Sequence, residues 1–214
     1  RRIGPVEGGA EGVLDALGQA LGPSGTLIMM IAADDEEPFD AGSTPADPDN
    51  GILAEVLRRR PGVQVGDHAA ARFAALGPRA SELTRDPPLH HYYGEGSPLE
   101  RICREGGAVL RLGSDLDTVT MTHRAEFLAE LPDKRVVTRT YQRADLGEQR
   151  IESLDDWDGI AEWSEGDYFP QILVDFLAEG RANVGPVGGC TAELLDASAF
   201  VAFAVRWIET HLTP

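Results

Sequence analysis

Short apolar runs alternate with segments of helical spacing along most of this chain, and that alternation limits what it can fold into. Ala10 to Leu21 carries Val13, Leu14, Leu17, Ala20 and Leu21 at the spacing of one helical face. Gly22-Pro-Ser-Gly25 stops it, and Thr26-Leu-Ile-Met-Met-Ile31 follows as a continuous apolar run, as in a strand buried on both faces. Further helices are expected over Ile52 to Arg60, Ala80 to Leu83, Pro98 to Glu105 with Ser97 as its cap, and Ile172 to Ala178. Extended segments are expected at Val63 to Val65, Phe73 to Leu76 and Ala108 to Leu112. Arg135 to Tyr141 joins them on its period-two pattern and β-branched residues. Gly185-Pro-Val-Gly-Gly189 reads as a turn before Cys190 to Leu195, and Asp196 caps a last helix carrying Phe200, Phe203, Ala204, Trp207 and Ile208. Strands alternating with helices argue for a layered α/β fold. A length of 214 residues, 42% of them hydrophobic, suits one domain over the whole chain.

Charge narrows the function. Nineteen Lys and Arg against 36 Asp and Glu leave a net charge of −17, a field that repels nucleic acid and draws in cationic ligands. No stretch is long and apolar enough to span a membrane, and no signal peptide is visible, so a cytoplasmic protein is expected. Cys103 and Cys190 have neither metal-ligand nor redox spacing and read as reduced thiols. The chain opens on Arg1-Arg-Ile-Gly-Pro5 without Met, and further N-terminal residues are expected to precede it.

Two groups of residues carry candidate chemistry. In Gly113-Ser-Asp-Leu-Asp-Thr-Val-Thr-Met-Thr-His-Arg-Ala-Glu126, a polar loop leads from the Ala108–Leu112 strand into a helix, where α/β proteins commonly keep their ligands. His123 and Glu126 are three apart and share a helix side, and a carboxylate beside an imidazole raises its basicity and fixes its tautomer. The same spacing also serves an exposed helix pair without a task. Asp155-Asp156-Trp157-Asp158 offers carboxylates and a ring face to a cation, or else is a solvated acidic turn anchored by Trp157. Asp34-Asp-Glu-Glu37 lies in the long irregular stretch Ala32 to Asn50. Such dense like charge suits a solvated loop unless a cation sits beside it, and its spacing is no regular metal-binding loop. His68 reads as structural, His90-His91 beside Tyr92-Tyr93 as a stacking surface before a metal patch, and His211 as complementing its helix dipole. No dinucleotide-binding glycine motif, nucleophile elbow or catalytic cysteine signature appears, and no metal is expected.

Several blocks, in order and in spacing, resemble the aminoglycoside 3-N-acetyltransferases, the antibiotic acetyltransferase family. They include Ile3-Gly-Pro-Val-Glu-Gly-Gly9, Ala20-Leu-Gly-Pro-Ser-Gly-Thr-Leu27, Glu37-Pro-Phe-Asp40 and Gly51-Ile-Leu-Ala-Glu55. Phe73-Ala-Ala-Leu-Gly77, Gly96-Ser-Pro-Leu-Glu-Arg101, Thr118-Val-Thr-Met-Thr-His-Arg-Ala-Glu126, Asp156-Trp157-Asp158 and Gly185-Pro-Val-Gly188 continue the set nearly to the end. The resemblance implies a layered α/β/α fold with a mixed central sheet, distinct from the GNAT fold. It implies transfer of an acetyl group from acetyl-coenzyme A to the 3-amino group of a 2-deoxystreptamine aminoglycoside, conferring antibiotic resistance. By position, His123 would be the general base, with Glu126 in the same site. Asp158 and Asp156 would orient it or hold ammonium groups together with Trp157, and Asp35 would be a substrate-binding acid. The chain departs from the family pattern at Thr122, where a leucine is usual, at Arg111 in an otherwise apolar strand, and at Ala69, where a proline follows the histidine. The competing expectation is an acidic module that sequesters polycationic drugs without chemistry.

Overall fold

The computed structural model describes residues 3–33 and 38–212, which divide into two compact units. One takes Pro5–Pro98 and Thr138–Glu152; the other takes 3–4, Leu99–Val137 and 153–212.

The first unit opens with α1 (Gly9–Leu21), which gives way at Gly22 to β1 (Leu27–Met30). A short 3-10 turn, Pro48–Asn50, leads into α2 (Ile52–Arg58), and β2 (Gln64–Val65), β3 (Phe73–Leu76) and the single-turn α3 (Ala80–Leu83) follow. The strands form an antiparallel sheet in the order β1-β3-β2, with Leu27 opposite Leu76 and Met30 opposite Phe73. β1 is an edge strand here and its residues are only half-buried, unlike the strand expected to be covered on both faces; the middle strand β3 is the buried one. Leu14 from α1 and Ala54 and Leu57 from α2 close over Ile31 and Ala74 to make the core. Gly77 is required where the sheet ends: its φ is +135°, and a Cβ would lie 2.4 Å from the Gly25 carbonyl oxygen.

The second unit contains α4 (Pro98–Arg104), β4 (Ala108–Leu112), α5 (Met121–Leu128), α6 (Tyr168–Ala178), β7 (Ala182–Val187), β8 (Cys190–Asp196) and α7 (Ala197–His211). Its sheet runs β4-β8-β7, again antiparallel, with Leu110 opposite Leu194 and Val187 opposite Cys190. The expected turn is only Gly188-Gly189; Gly185 and Pro186 belong to β7, where proline is tolerated because the strand is an edge. Asp196 caps α7 by accepting from the Ala199 N–H at 2.7 Å, as expected. α7 packs on α5 and α6, and Phe176 meets Phe200 and Phe203 edge-on at 5.2 and 5.4 Å. The helix expected from Ile172 starts four residues earlier, at Tyr168, because Asp167 caps it through the Phe169 N–H at 2.9 Å.

The remaining strands, β5 (Val136–Arg143) and β6 (Gly147–Leu154), pair with each other as a hairpin contributing residues to both units. The chain is therefore a mixed α/β protein built on small sheets, not on the single mixed central sheet expected. Alternation of elements is the pattern of parallel crossovers, but here β4 and β8 pair antiparallel across the unit and β7 returns directly into β8. Among the described residues, the recorded parallel contact is the isolated bridge between Phe39 and Arg143.

Candidate active site

The loop after β4 delivers the chain into α5, where His123 and Glu126 sit one turn apart. His123 Nδ1 and Glu126 Oε2 are 2.7 Å apart, and both side chains are largely shielded from solvent, at 14% and 2% exposure. With Nδ1 turned to the carboxylate, the tautomer that accepts a proton does so at Nε2. Glu126 is held in turn: the Tyr168 hydroxyl donates to Oε1, and the same hydroxyl oxygen accepts the Ile160 N–H at 2.8 Å. Burial, reinforced by the Glu126 carboxylate, pushes the Tyr168 phenol above its usual range, so it remains a hydrogen-bond donor. The Phe169 ring lies 5.0 Å from the imidazole, centroid to centroid. The first turn of α6 thus supplies the contact to His123 and the donor to Glu126.

The C-terminal end of α5 is also tied. Lys134 Nζ donates to the Phe127 carbonyl at 3.0 Å, a cation on the electronegative end of the helix. Burial pulls the Lys134 ammonium below its usual range, while Glu126, Glu209 and Glu130 act the other way.

The acidic turn is a structured one. Asp155 is buried and its carboxylate accepts the N–H groups of Trp157 at 3.1 Å and Asp158 at 3.3 Å, an arrangement typical of aspartate-led turns. Trp157 is 67% exposed, Asp158 is exposed and Asp156 half-buried. Arg135 fixes the turn from below through the Asp158 and Gly159 carbonyls, both at 3.2 Å. Two residues beyond Asp158, the Ile160 N–H reaches Tyr168, so the turn and the His123–Glu126 pair are joined through that phenol. Glu126 thus faces His123 Nδ1 directly, and Asp158 is bonded through its backbone N–H and carbonyl.

Other sequence candidates fall elsewhere. Asp35 lies outside the described residues. His68 is a buried structural residue of the first unit: Nδ1 accepts the Ala70 and Ala71 N–H groups at 3.2 and 3.0 Å, and Nε2 faces the Leu89 carbonyl at 3.2 Å. His90 Nδ1 accepts the Glu152 N–H at 3.0 Å, and the described residues contain no cluster of three metal-ligating side chains. His211 stacks on Trp207 at 4.2 Å, with Nδ1 2.8 Å from its carbonyl. Among the described residues, no helix is long and apolar enough to cross a membrane.

Sequence reasoning missed Tyr168 and Phe169. The available signal was Asp167 as a helix cap, which would have placed both aromatics in a first helical turn. Nothing in the sequence says that this turn faces α5.

Residues 1–209 match the family model described as aminoglycoside 3-N-acetyltransferase. Aminoglycoside N(3)-acetyltransferase VII of Streptomyces paromomycinus is 37% identical, over 98% of this chain and 83% of its own length. A structure of AAC-IIIb in binary complex with CoASH superposes with a TM-score of 0.91 at 37% identity, over 100% of this chain and 88% of that one. A structure of AAC-VIa bound to sisomicin gives 0.91 at 31% identity, over 99% and 88%. Matches of this identity and extent leave one conclusion: the chain belongs to the aminoglycoside 3-N-acetyltransferase family.

Proposed function

We propose that the protein transfers an acetyl group from acetyl-coenzyme A to the 3-amino group of a 2-deoxystreptamine aminoglycoside, with His123 as the general base. The observation that carries this reading is the largely shielded 2.7 Å pairing of His123 Nδ1 with Glu126, itself anchored by Tyr168. An aminoglycoside amine is mostly protonated near neutral pH and must lose a proton before it attacks. Nε2 takes that proton, and the Glu126 carboxylate stabilises the imidazolium that results. The amine nitrogen then bonds to the thioester carbonyl carbon and gives up a second proton, the carbon–sulfur bond breaks, and coenzyme A leaves as a thiolate that takes up a proton to become the free thiol. The bound coenzyme of AAC-IIIb and the sisomicin of AAC-VIa support the two substrate classes.

Asp158, Asp156 and Trp157 hold ammonium groups of the drug. What supports this is a hydrogen-bonded turn that presents carboxylates and a largely exposed indole, linked through Ile160 to the phenol that orients Glu126. Asp35 is assigned to the same task on the family resemblance. Charge-assisted bonds to several ammonium groups would fix one amine against His123, and fixed geometry supplies much of the acceleration.

The test is thiol release from acetyl-coenzyme A in the presence of gentamicin. His123→Ala should remain folded, bind the drug and lose about 10²–10⁴-fold in kcat. Wild-type turnover in that variant would reject the base, and a folded wild-type protein that binds drug without releasing thiol would make the chain a binder.

A further inference from the structure

Arg111, the fourth residue of β4, is a fully buried cation at 2% exposure. Burial pulls its guanidinium below its ordinary range, and Glu193, opposite it on β8, opposes that shift. An apolar side chain would fill a strand interior without desolvating a charge. What arginine adds is a rigid fork of directed donors. Nη1 bonds Glu193 Oε2 at 3.1 Å, and that carboxylate is itself only 14% exposed. Nη2 reaches forward into the loop, donating to the Ser114 carbonyl at 3.3 Å and to the Asp115 carbonyl.

The Asp115 carbonyl is a junction. It also accepts from the Thr118 hydroxyl at 2.6 Å and from the Thr118 N–H at 3.3 Å. Beyond Thr118 the chain winds directly into α5, with the Thr122 N–H on the Val119 carbonyl and the His123 N–H on the Thr120 carbonyl. An unbroken series of hydrogen bonds and short chain segments therefore runs from Glu193 through Arg111 and Asp115 to the backbone of His123.

We propose that Arg111, tied to Glu193, is a positioning residue for His123: it locks the loop before α5 and thereby sets where the imidazole stands relative to the bound amine. This rests on the reading of His123 as the base. A base displaced by a fraction of an ångström still binds substrate but abstracts its proton less well, so the effect belongs in kcat.

The experiment compares wild type with Arg111→Lys, Glu193→Gln, the apolar pair replacement Arg111→Met/Glu193→Leu, and His123→Ala. Each is assayed for melting temperature, for kcat, and for KM with gentamicin and acetyl-coenzyme A. The double replacement should melt near the wild type yet lose about tenfold or more in kcat, with gentamicin KM little changed. Arg111→Lys should recover only part of that loss, since an ammonium lacks the planar fork that serves a carboxylate and two carbonyls. A folded double variant with kcat within about twofold of wild type would overturn the proposal. Should that variant fail to fold, Glu193→Gln decides: faster amide exchange at Thr118 and His123 with reduced kcat is expected, and unchanged exchange and kcat overturn it. His123→Ala separates the two readings. Full turnover in that variant removes the base assignment, whereas its loss beside normal Arg111 and Glu193 variants removes the clamp alone.

Discussion

Glu126 carries two opposed demands: it must accept a bond from His123 strongly enough to fix the tautomer, and it must itself not move. Tyr168 meets the second demand. Tyr168→Phe removes the donor to Glu126 and the acceptor of the Ile160 N–H in one change. Leaving that amide unpaired should cost about 1–3 kcal/mol of stability, read as a lower melting temperature. A freer Glu126 should also lower kcat by about tenfold, equivalent to about 1.4 kcal/mol of barrier. Unchanged kcat in a destabilised variant would make Tyr168 a packing residue only. His68 makes the complementary case in the first unit. Burial holds its imidazole below the ordinary 6.5, and its Nδ1 accepts two backbone N–H groups that an imidazolium could not accept. The unfolded chain binds a proton near 6.5 and the folded chain does so only at lower pH. The stabilisation from neutral His68 is therefore complete above about 6.5 and is lost as pH falls through the folded value. Urea midpoints measured at successive pH values should fall on the acid side of 6.5, and His68→Gln should flatten that part of the curve. An equally steep decline in the variant would assign the loss to other groups.

At the scale of elements, two aspartates with the same local job should behave differently. Asp167 caps α6 and Asp196 caps α7, each accepting a backbone N–H within the first turn. Replacing either with alanine should cost about 1 kcal/mol in stability. Only Asp167→Ala frays the turn holding Tyr168 and Phe169, so only that variant should also lose kcat. Equal kcat in the two would mean the first turn of α6 is held by packing and not by its cap. The same comparison explains what the sequence disclosed. Helical faces at Ala10 to Leu21 and after Asp196 and the apolar runs at Leu27–Met30 and Ala108–Leu112 were legible, because period and cap residues are local signals. β6 and β7 were not. Gly147–Leu154 has only half its residues shielded, and Ala182–Val187 holds a glycine and a proline that ordinarily signal a turn. Pairing direction was illegible too, since it depends on which distant strand lies alongside. The site divides in the same way: His123 and Glu126 are three apart and could be read together, whereas Tyr168 is 42 residues from Glu126 and meets it only through the packing of the unit.

At the scale of the whole molecule, the excess of acid over base would act oppositely on the two proposed substrates. With 36 carboxylate side chains against 19 Lys and Arg, the protein attracts a polycationic aminoglycoside and repels the phosphates of acetyl-coenzyme A. Both effects reach only as far as the Debye length, about 10 Å at 0.1 M salt, and both weaken as salt is added. Raising ionic strength from about 0.02 to about 0.3 M should therefore lower kcat/KM for gentamicin at saturating acetyl-coenzyme A. At saturating drug, the same change should leave kcat/KM for acetyl-coenzyme A level or raise it. The proposed transfer of the amine proton to His123 Nε2 takes place beside a largely shielded pair, so kcat should stay constant in both series. Opposed signs with constant kcat would place the net charge of −17 in substrate capture. A drug kcat/KM that ignores salt would assign recognition to short contacts alone, with the Asp155–Asp158 turn carrying it at close range. Neutralising Asp158 as Asp158→Asn would then weaken gentamicin equally at low and high salt, whereas steering by the whole field predicts that its effect shrinks as salt rises.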